Sequence, residues 1–202
     1  MILFLLLSFI PALASEGWAV GRVIVAFGDS ITAGYGVSAN EAYPVLLARR
    51  IKQEGYAYRV INAGVSGETS AGGLMRLQGI IAVNPEIVIL ELGANDGLRG
   101  FDLRYTEENL STIIEQLQKK NILVILAGMK IPVNYGVPYR KAFEAVYSRL
   151  ATRYQPPFIP FFLEGVAGHP ALNQGDDVHP TAEGYRVIVD HIWPVIKPLL
   201  KR

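Results

Sequence analysis

The sequence predicts an α/β domain built on a parallel sheet of five strands with helices on both faces. Short apolar runs rich in Val, Ile and Leu alternate with segments of helical periodicity from residue 23 to the carboxyl end, the pattern of repeated strand and helix units. The runs are apolar nearly throughout, as strands buried on both faces require. At 202 residues, 50% apolar and 18% charged, the chain fills one core and falls short of two.

Val23 to Phe27 is the first strand, and it breaks abruptly into Gly28-Asp29-Ser30-Ile31-Thr32-Ala33-Gly34-Tyr35-Gly36. Ser30 therefore sits just past a strand's carboxyl end, the edge where open α/β sheets bind ligands. Asn40 is expected to cap a helix over about residues 41–54, with Tyr43, Leu46, Leu47 and Ile51 on one face and Gly55 as its stop. Residues 58–61 read as a second strand, Asn62 to Ser70 as a polar loop, and about 71–83 as a helix. Asn84-Pro85 marks a turn, and Glu86 to Leu92 is a third strand that breaks into Gly93-Ala94-Asn95-Asp96-Gly97.

The next helix is expected to start at Thr106 as N-cap, with Glu107 and Glu108 in the first turn and Lys119 and Lys120 in the last, charges that complement the helix dipole. Leu110, Ile113, Ile114 and Leu117 form its core face. Ile122 to Ala127 is the fourth strand, residues 128–138 a long connection, and 139–154 a helix. Phe158 and Ile159 make a short fifth strand. The final helix opens near Thr181 and keeps Tyr185, Ile188, Val189, Ile192 and Ile196 at helical spacing, with Pro194 expected to kink or shorten it.

Composition excludes several classes of partner and chemistry. A net charge of +1 and the lack of any basic run with interleaved aromatics argue against nucleic acid. With no cysteine there are no disulfides, zinc–thiolate sites or cysteine nucleophiles. No His, Asp and Glu cluster has metal-ligand spacing, so neither metal nor other cofactor is expected. Residues 1–14 form a Leu, Ile and Phe run ending in Ala12-Leu13-Ala14, a small-residue cleavage pattern. The expectation is a signal peptide cleaved after Ala14, delivering residues 15–202 as a single domain to the periplasm or the exterior. No Lys or Arg precedes the run, and it is shorter than the ~20 residues of a spanning helix. An uncleaved anchor ranks second; a buried first element of a cytoplasmic protein ranks third.

A serine nucleophile needs a base, and the base needs an orienting group. Of the three histidines, His191 follows Asp190 inside a helix, where adjacent residues do not face each other, and reads as structural. His169 and His179 both precede proline in late loops, but only His179 has an acid three positions back, Asp176 against Val166. Asp176 and His179 thus share one short turn, although a lone acid and histidine at that spacing can equally be a turn that caps the last helix. Asp177 competes with Asp176 and loses on spacing. A phosphate cradle fails in the first loop, which lacks the Walker lysine, and whose Gly34-x-Gly36 lacks the third glycine of the dinucleotide pattern. Oxyanion donors come from Gly67, through its N–H, and Asn95, through its amide; each could instead be ordinary loop geometry. Asp29 and Asp96 flank these residues and read as loop-structuring acids.

Gly28-Asp29-Ser30, Gly67, Gly93-Ala94-Asn95-Asp96 and Asp176-x-x-His179 stand in the order of the GDSL, or SGNH, hydrolases, and the chain resembles their bacterial arylesterase, thioesterase and lysophospholipase branch. That resemblance implies a flavodoxin-like three-layer α/β/α sandwich. It implies Ser30 as nucleophile, His179 as base, Asp176 as orienting acid, and Ser30, Gly67 and Asn95 as the oxyanion hole. The substrate implied is a small acyl ester or thioester, or a lysophospholipid, cleaved through an acyl-enzyme by a cofactor-free monomer. Leu98, Phe101, Ile131, Val133 and Tyr135, placed after strands three and four, are expected to line the acyl site. A carbohydrate O-acetylesterase is the alternative, and a non-catalytic binding module of the same fold ranks below it.

Overall fold

In the structure, a computed structural model that describes residues 22–202, five parallel strands run in the order β2-β1-β3-β4-β5. They are β1 (Arg22–Gly28), β2 (Tyr58–Gly64), β3 (Ile87–Glu91), β4 (Leu123–Ala127) and β5 (Phe158–Ile159). This is the flavodoxin-like order, in which connections leave in opposite directions from β1 and β3. The expected leader, residues 1–14, lies outside the described residues. Among those residues no helix is long and apolar enough to cross a membrane.

Helices α2 (Tyr43–Gln53) and α7 (Ala182–Ile196) pack together. So do α3 (Ser70–Ala82), α5 (Leu103–Lys119) and α6 (Val137–Tyr154), side by side. Between the layers, β3 is buried along its whole length, as its apolar residues Ile87 to Leu90 demand of a central strand, and its last residue, Glu91, is buried with them. β2, at the sheet edge, is only half-buried.

Two short helices escape the sequence reading: α1 (Ser30–Ala33) and α4 (Ala94–Leu98). Both begin directly where a strand stops. Asp29 caps α1 by accepting the Ile31 N–H, and Gly93 enters α4 at φ +107°.

Other boundaries move for identifiable reasons. Asn40 caps nothing: Ser38 and Glu41 close a capping box around a 3₁₀ turn at Ala39–Glu41, and α2 starts afterwards with Pro44 in its first turn. β2 continues to Gly64 because its pairing with β1 holds through Gly28. The helix expected to start at Thr106 starts instead at Leu103, since Asp102 accepts the Arg104 N–H. Thr106 is buried within α5 and donates to Asp96 Oδ1 at 3.3 Å. Helix α7 runs through Pro194 to Ile196.

The feature that positions the site is register. Gly28 stands opposite Gly64 on one side and Glu91 on the other. Three strands therefore end level, and the segments that follow them, which hold Ser30, Gly67 and Asn95, open on one edge. Ile89 pairs with Ala26 and Ile125 at the centre of this sheet and is fully buried. Truncating it leaves a cavity that close-packed neighbours fill poorly, so Ile89→Ala should cost about 2–5 kcal/mol in urea unfolding.

Candidate active site

Asp176 and His179 form a closed unit on one turn. Asp176 Oδ2 lies 2.6 Å from His179 Nδ1, while its other oxygen accepts the backbone N–H groups of Val178 and His179, each at 2.9 Å. The turn is anchored from both ends. Gln174 N–H donates to the His179 carbonyl at 2.7 Å, and Asn173 pairs with Pro180. The Gln174 amide donates to the carbonyls of Tyr35 and Pro180. The Tyr35 ring stands 4.5 Å from the His179 ring, so the segment after β1 touches the imidazole directly.

On the far side of the ring, His179 Nε2 is 2.9 Å from Ser30 Oγ, a contact across 149 residues of chain. The carboxylate at Nδ1 keeps the ring proton there and leaves Nε2 free to accept from the hydroxyl. Partial burial pushes the Asp176 carboxyl up, but the N–H bonds from His179 and Val178 and the imidazole outweigh it and hold the group at about 2. His191 Nε2–H donates to the Phe161 carbonyl at 2.9 Å, a structural role, and His169 takes no part in the cluster.

The three expected oxyanion donors differ in state. Ser30 N–H and Gly67 N–H have no protein acceptor among the described residues. Gly67 holds φ +79°, a left-handed conformation that costs glycine little, and Arg99, the residue that ends α4, donates to its carbonyl at 2.8 Å. Asn95 Nδ2 donates to Asp29 Oδ2 at 3.1 Å and to the Glu68 carbonyl at 3.0 Å. Glu68 is held in turn by Arg76, which also donates to the carbonyls of Gly28 and Ala63. The ends of β1, β2 and β3 are thus tied to one another by side chains as well as by register.

Asp96 points away from the cavity. It accepts from Ser70 N–H at 2.8 Å and from the hydroxyls of Ser70 and Thr106, joining α3 and α5 beneath α4.

A cavity of about 450 Å³ opens beside Ser30, Asn95 and His179. Leu98, Ile131 and Val133 line it as expected. Phe101 and Tyr135 do not. Tyr135 turns back to donate to the Leu98 carbonyl and stacks on Tyr139, bracing the wall from behind. Phe101 is 46% exposed, and what ties its segment down is its carbonyl, which accepts from Tyr139. Sequence reading missed Ile31, Met129, Phe161, Leu163 and Val178, which complete the apolar wall, and the cations Lys130 and Arg140 at its margin. Met129 follows β4 closely and Phe161 follows β5, so the strand-end rule that located Ser30 would have located them too. Among the described residues no group of His, Asp and Glu side chains is arranged to hold a metal ion.

A hydroxyl, an imidazole and a carboxylate linked in this order on the carboxyl edge of a parallel sheet is the arrangement that serine hydrolases use. Residues 26–187 match the GDSL-like Lipase/Acylhydrolase family, and the chain belongs to it. It is an ester-hydrolysing enzyme. Esterase TesA of Pseudomonas aeruginosa is 40% identical over 183 residues, covering 90% of this chain and 91% of that protein. Thioesterase 1/protease 1/lysophospholipase L1 of Escherichia coli is 37% identical over 183 residues, covering 90% and 86%. Among solved structures, the psychrotrophic esterase EstA from a Pseudoalteromonas species, inhibited by monoethylphosphonate, superposes with a TM-score of 0.84 at 34% identity, over 88% of this chain and 98% of that one.

The depressed Asp176 carboxyl sets a pH expectation. A carboxylate held down in the fold contributes stability above its unfolded value, near 4, and loses it as pH falls through about 2. Carbon-detected NMR titration should place the Asp176 midpoint near 2, so acid loss of activity above pH ~4 must come from other groups.

Proposed function

We propose that this enzyme cleaves carboxylic esters and thioesters of extended acyl chains by double displacement through Ser30. What supports this most is the Ser30–His179–Asp176 relay at the mouth of an apolar cavity. His179 Nε2 takes the hydroxyl proton as Ser30 Oγ attacks the carbonyl carbon. The tetrahedral oxyanion is met by the N–H groups of Ser30 and Gly67 and by the Asn95 amide, one hydrogen of which leaves its present acceptor, Asp29 or the Glu68 carbonyl, to reach it. Collapse breaks the bond to the leaving oxygen or sulfur, which leaves with the proton from His179. Water, deprotonated by the same nitrogen, then attacks the acyl-enzyme and frees the acid and Ser30.

The cavity volume favours this over a carbohydrate O-acetylesterase, because an acetyl group would leave most of the apolar wall unused. Thioester and lysophospholipid substrates are carried over from the names of relatives, and Lys130 and Arg140 at the margin are compatible with phosphate on a leaving group. The apolar run before Ala12-Leu13-Ala14 supports export with cleavage after Ala14, and the single sheet supports one domain over residues 15–202. A monomer completes the reading.

A fluorophosphonate probe should label wild type on Ser30 and leave Ser30→Ala unlabelled. Ser30→Ala and His179→Ala should each lose ~10⁴-fold or more in kcat, and Asn95→Ala ~10²–10³-fold. Across p-nitrophenyl esters of increasing chain length, kcat/KM should rise with length, and Ile131→Asp with Val133→Asp should flatten that rise. An unchanged length profile in that double variant would place the acyl chain elsewhere.

A further inference from the structure

Beneath the turn that carries Ser30 lie two acids that the reaction as written does not use. Glu91, the last residue of β3, is fully buried. Its Oε2 accepts from Thr32 Oγ1 at 2.7 Å and, at 3.4 Å, from the Asp29 N–H, while Oε1 has no partner among the described residues. Gly28 makes room for it: a Cβ there would lie 2.0 Å from Thr32 Oγ1 and 2.5 Å from Glu91 Oε2. Asp29, 1% exposed, spends one oxygen on the Ile31 N–H and the other on the Asn95 amide. Neither carboxyl hydrogen-bonds a Lys or Arg among the described residues. Burying two acids without a cation is costly.

We infer that Asp29 and Glu91 are positioning residues for the hydrolysis, Asp29 by aiming the Asn95 amide and Glu91 by supporting from beneath the turn that carries the nucleophile. The inference rests on the catalytic roles proposed above for Ser30 and Asn95. A side-chain amide can present either its oxygen or its nitrogen to a neighbour. An acceptor that cannot donate selects the nitrogen, and here the Asp29 carboxylate and the Glu68 carbonyl both do so. Asp29, together with the Glu68 carbonyl, therefore keeps the donor end of Asn95 towards the strand ends where Ser30 and Gly67 lie, and the alternative orientation would offer the oxyanion a repelling carbonyl.

The pair divides one proton in the direction this role needs. Burial pushes Asp29 up to about 6, opposed by the Ile31 N–H, His179 and the bonds from Glu91 and Asn95. Burial and then the Asp29 charge push Glu91 well above the carboxylate range. Above about pH 6, Glu91 holds the proton and Asp29 the charge. The titratable groups facing them are His179 on the loop before α7, Tyr43 of α2, Tyr147 of α6 and Tyr185 of α7; Arg76 of α3 reaches the Gly28 carbonyl. Since Asp29 is raised in the fold, the folded state keeps a proton that the unfolded chain loses above pH ~4, and stability falls as pH rises from there through about 6.

Positioning therefore opposes stability here, and that separates it from a merely structural role. At pH 8, Asp29→Asn should lower kcat ~10–10²-fold with KM within ~3-fold, while its Tm stays level or rises by a few °C. Glu91→Ala should lose ~10-fold in kcat, and Glu91→Gln, which copies the protonated acid, should recover most of that loss. If Asp29→Asn does not fold, the Glu91 pair carries the test. Asp29→Asn with kcat within twofold of wild type overturns the inference, as does a loss accompanied by a comparable fall in Tm, or a Glu91→Gln no better than Glu91→Ala. Ser30→Ala assayed alongside reports on the underlying reading: turnover retained there removes that reading, while turnover lost there with Asp29→Asn unchanged removes only this inference.

Discussion

Three strands that end level make the active site possible. Because Gly28 pairs with both Gly64 and Glu91, the chain leaves β1, β2 and β3 at one height, and each exit contributes a different chemical group. A slip of one residue in any of these pairings would turn that strand's side chains to the opposite face. It would also move Ser30, Gly67 or Asn95 by about 3.3 Å, more than a hydrogen bond tolerates. The catalytic spacing is thus inherited from sheet register, and the apolar core that enforces register indirectly enforces the chemistry.

Side chains then lock what register brings together. Arg76 joins the ends of β1 and β2 to Glu68, Arg99 joins α4 to Gly67, and Asn95 joins both to Asp29. The loops at this edge are short and crossed by polar ties, so the donors are held before substrate arrives. The N–H groups of Ser30 and Gly67, which have no protein acceptor among the described residues, act strongly because they need no reorientation as charge develops.

How much of this could be read from the residues follows from the range of each interaction. The strands themselves and the three strand-end motifs were legible because apolar periodicity and glycine breaks are local signals, whereas the order of strands in the sheet came only with the family resemblance. The unit of Asp176 and His179 was legible for the same reason: both partners sit on one turn. Helices α1 and α4 were not, because a helix of one turn starting within three residues of a strand's end carries the same glycines as a loop. Thr106 illustrates a different limit. As a residue type it suits an N-cap, but Asp102 competes for that position and the threonine is drawn inside to Asp96. Phe101 and Tyr135 were placed in the right loops and given the wrong direction, since position after a strand locates a backbone and says nothing of where a ring turns. The pairing of Asp29 with Asn95 joins two strands and leaves no trace in either motif alone.

The turn that holds Asp176 and His179 has one more consequence. Its acid, its imidazole and the N–H groups that fix the acid all lie within four consecutive residues, so the unit keeps its internal geometry wherever the loop goes. Tyr35 and Gln174 tie that unit to the segment following the nucleophile, and His179 Nε2 stands 2.9 Å from Ser30 Oγ, so the only spacing of the relay that the turn does not fix by itself is the one these two residues brace.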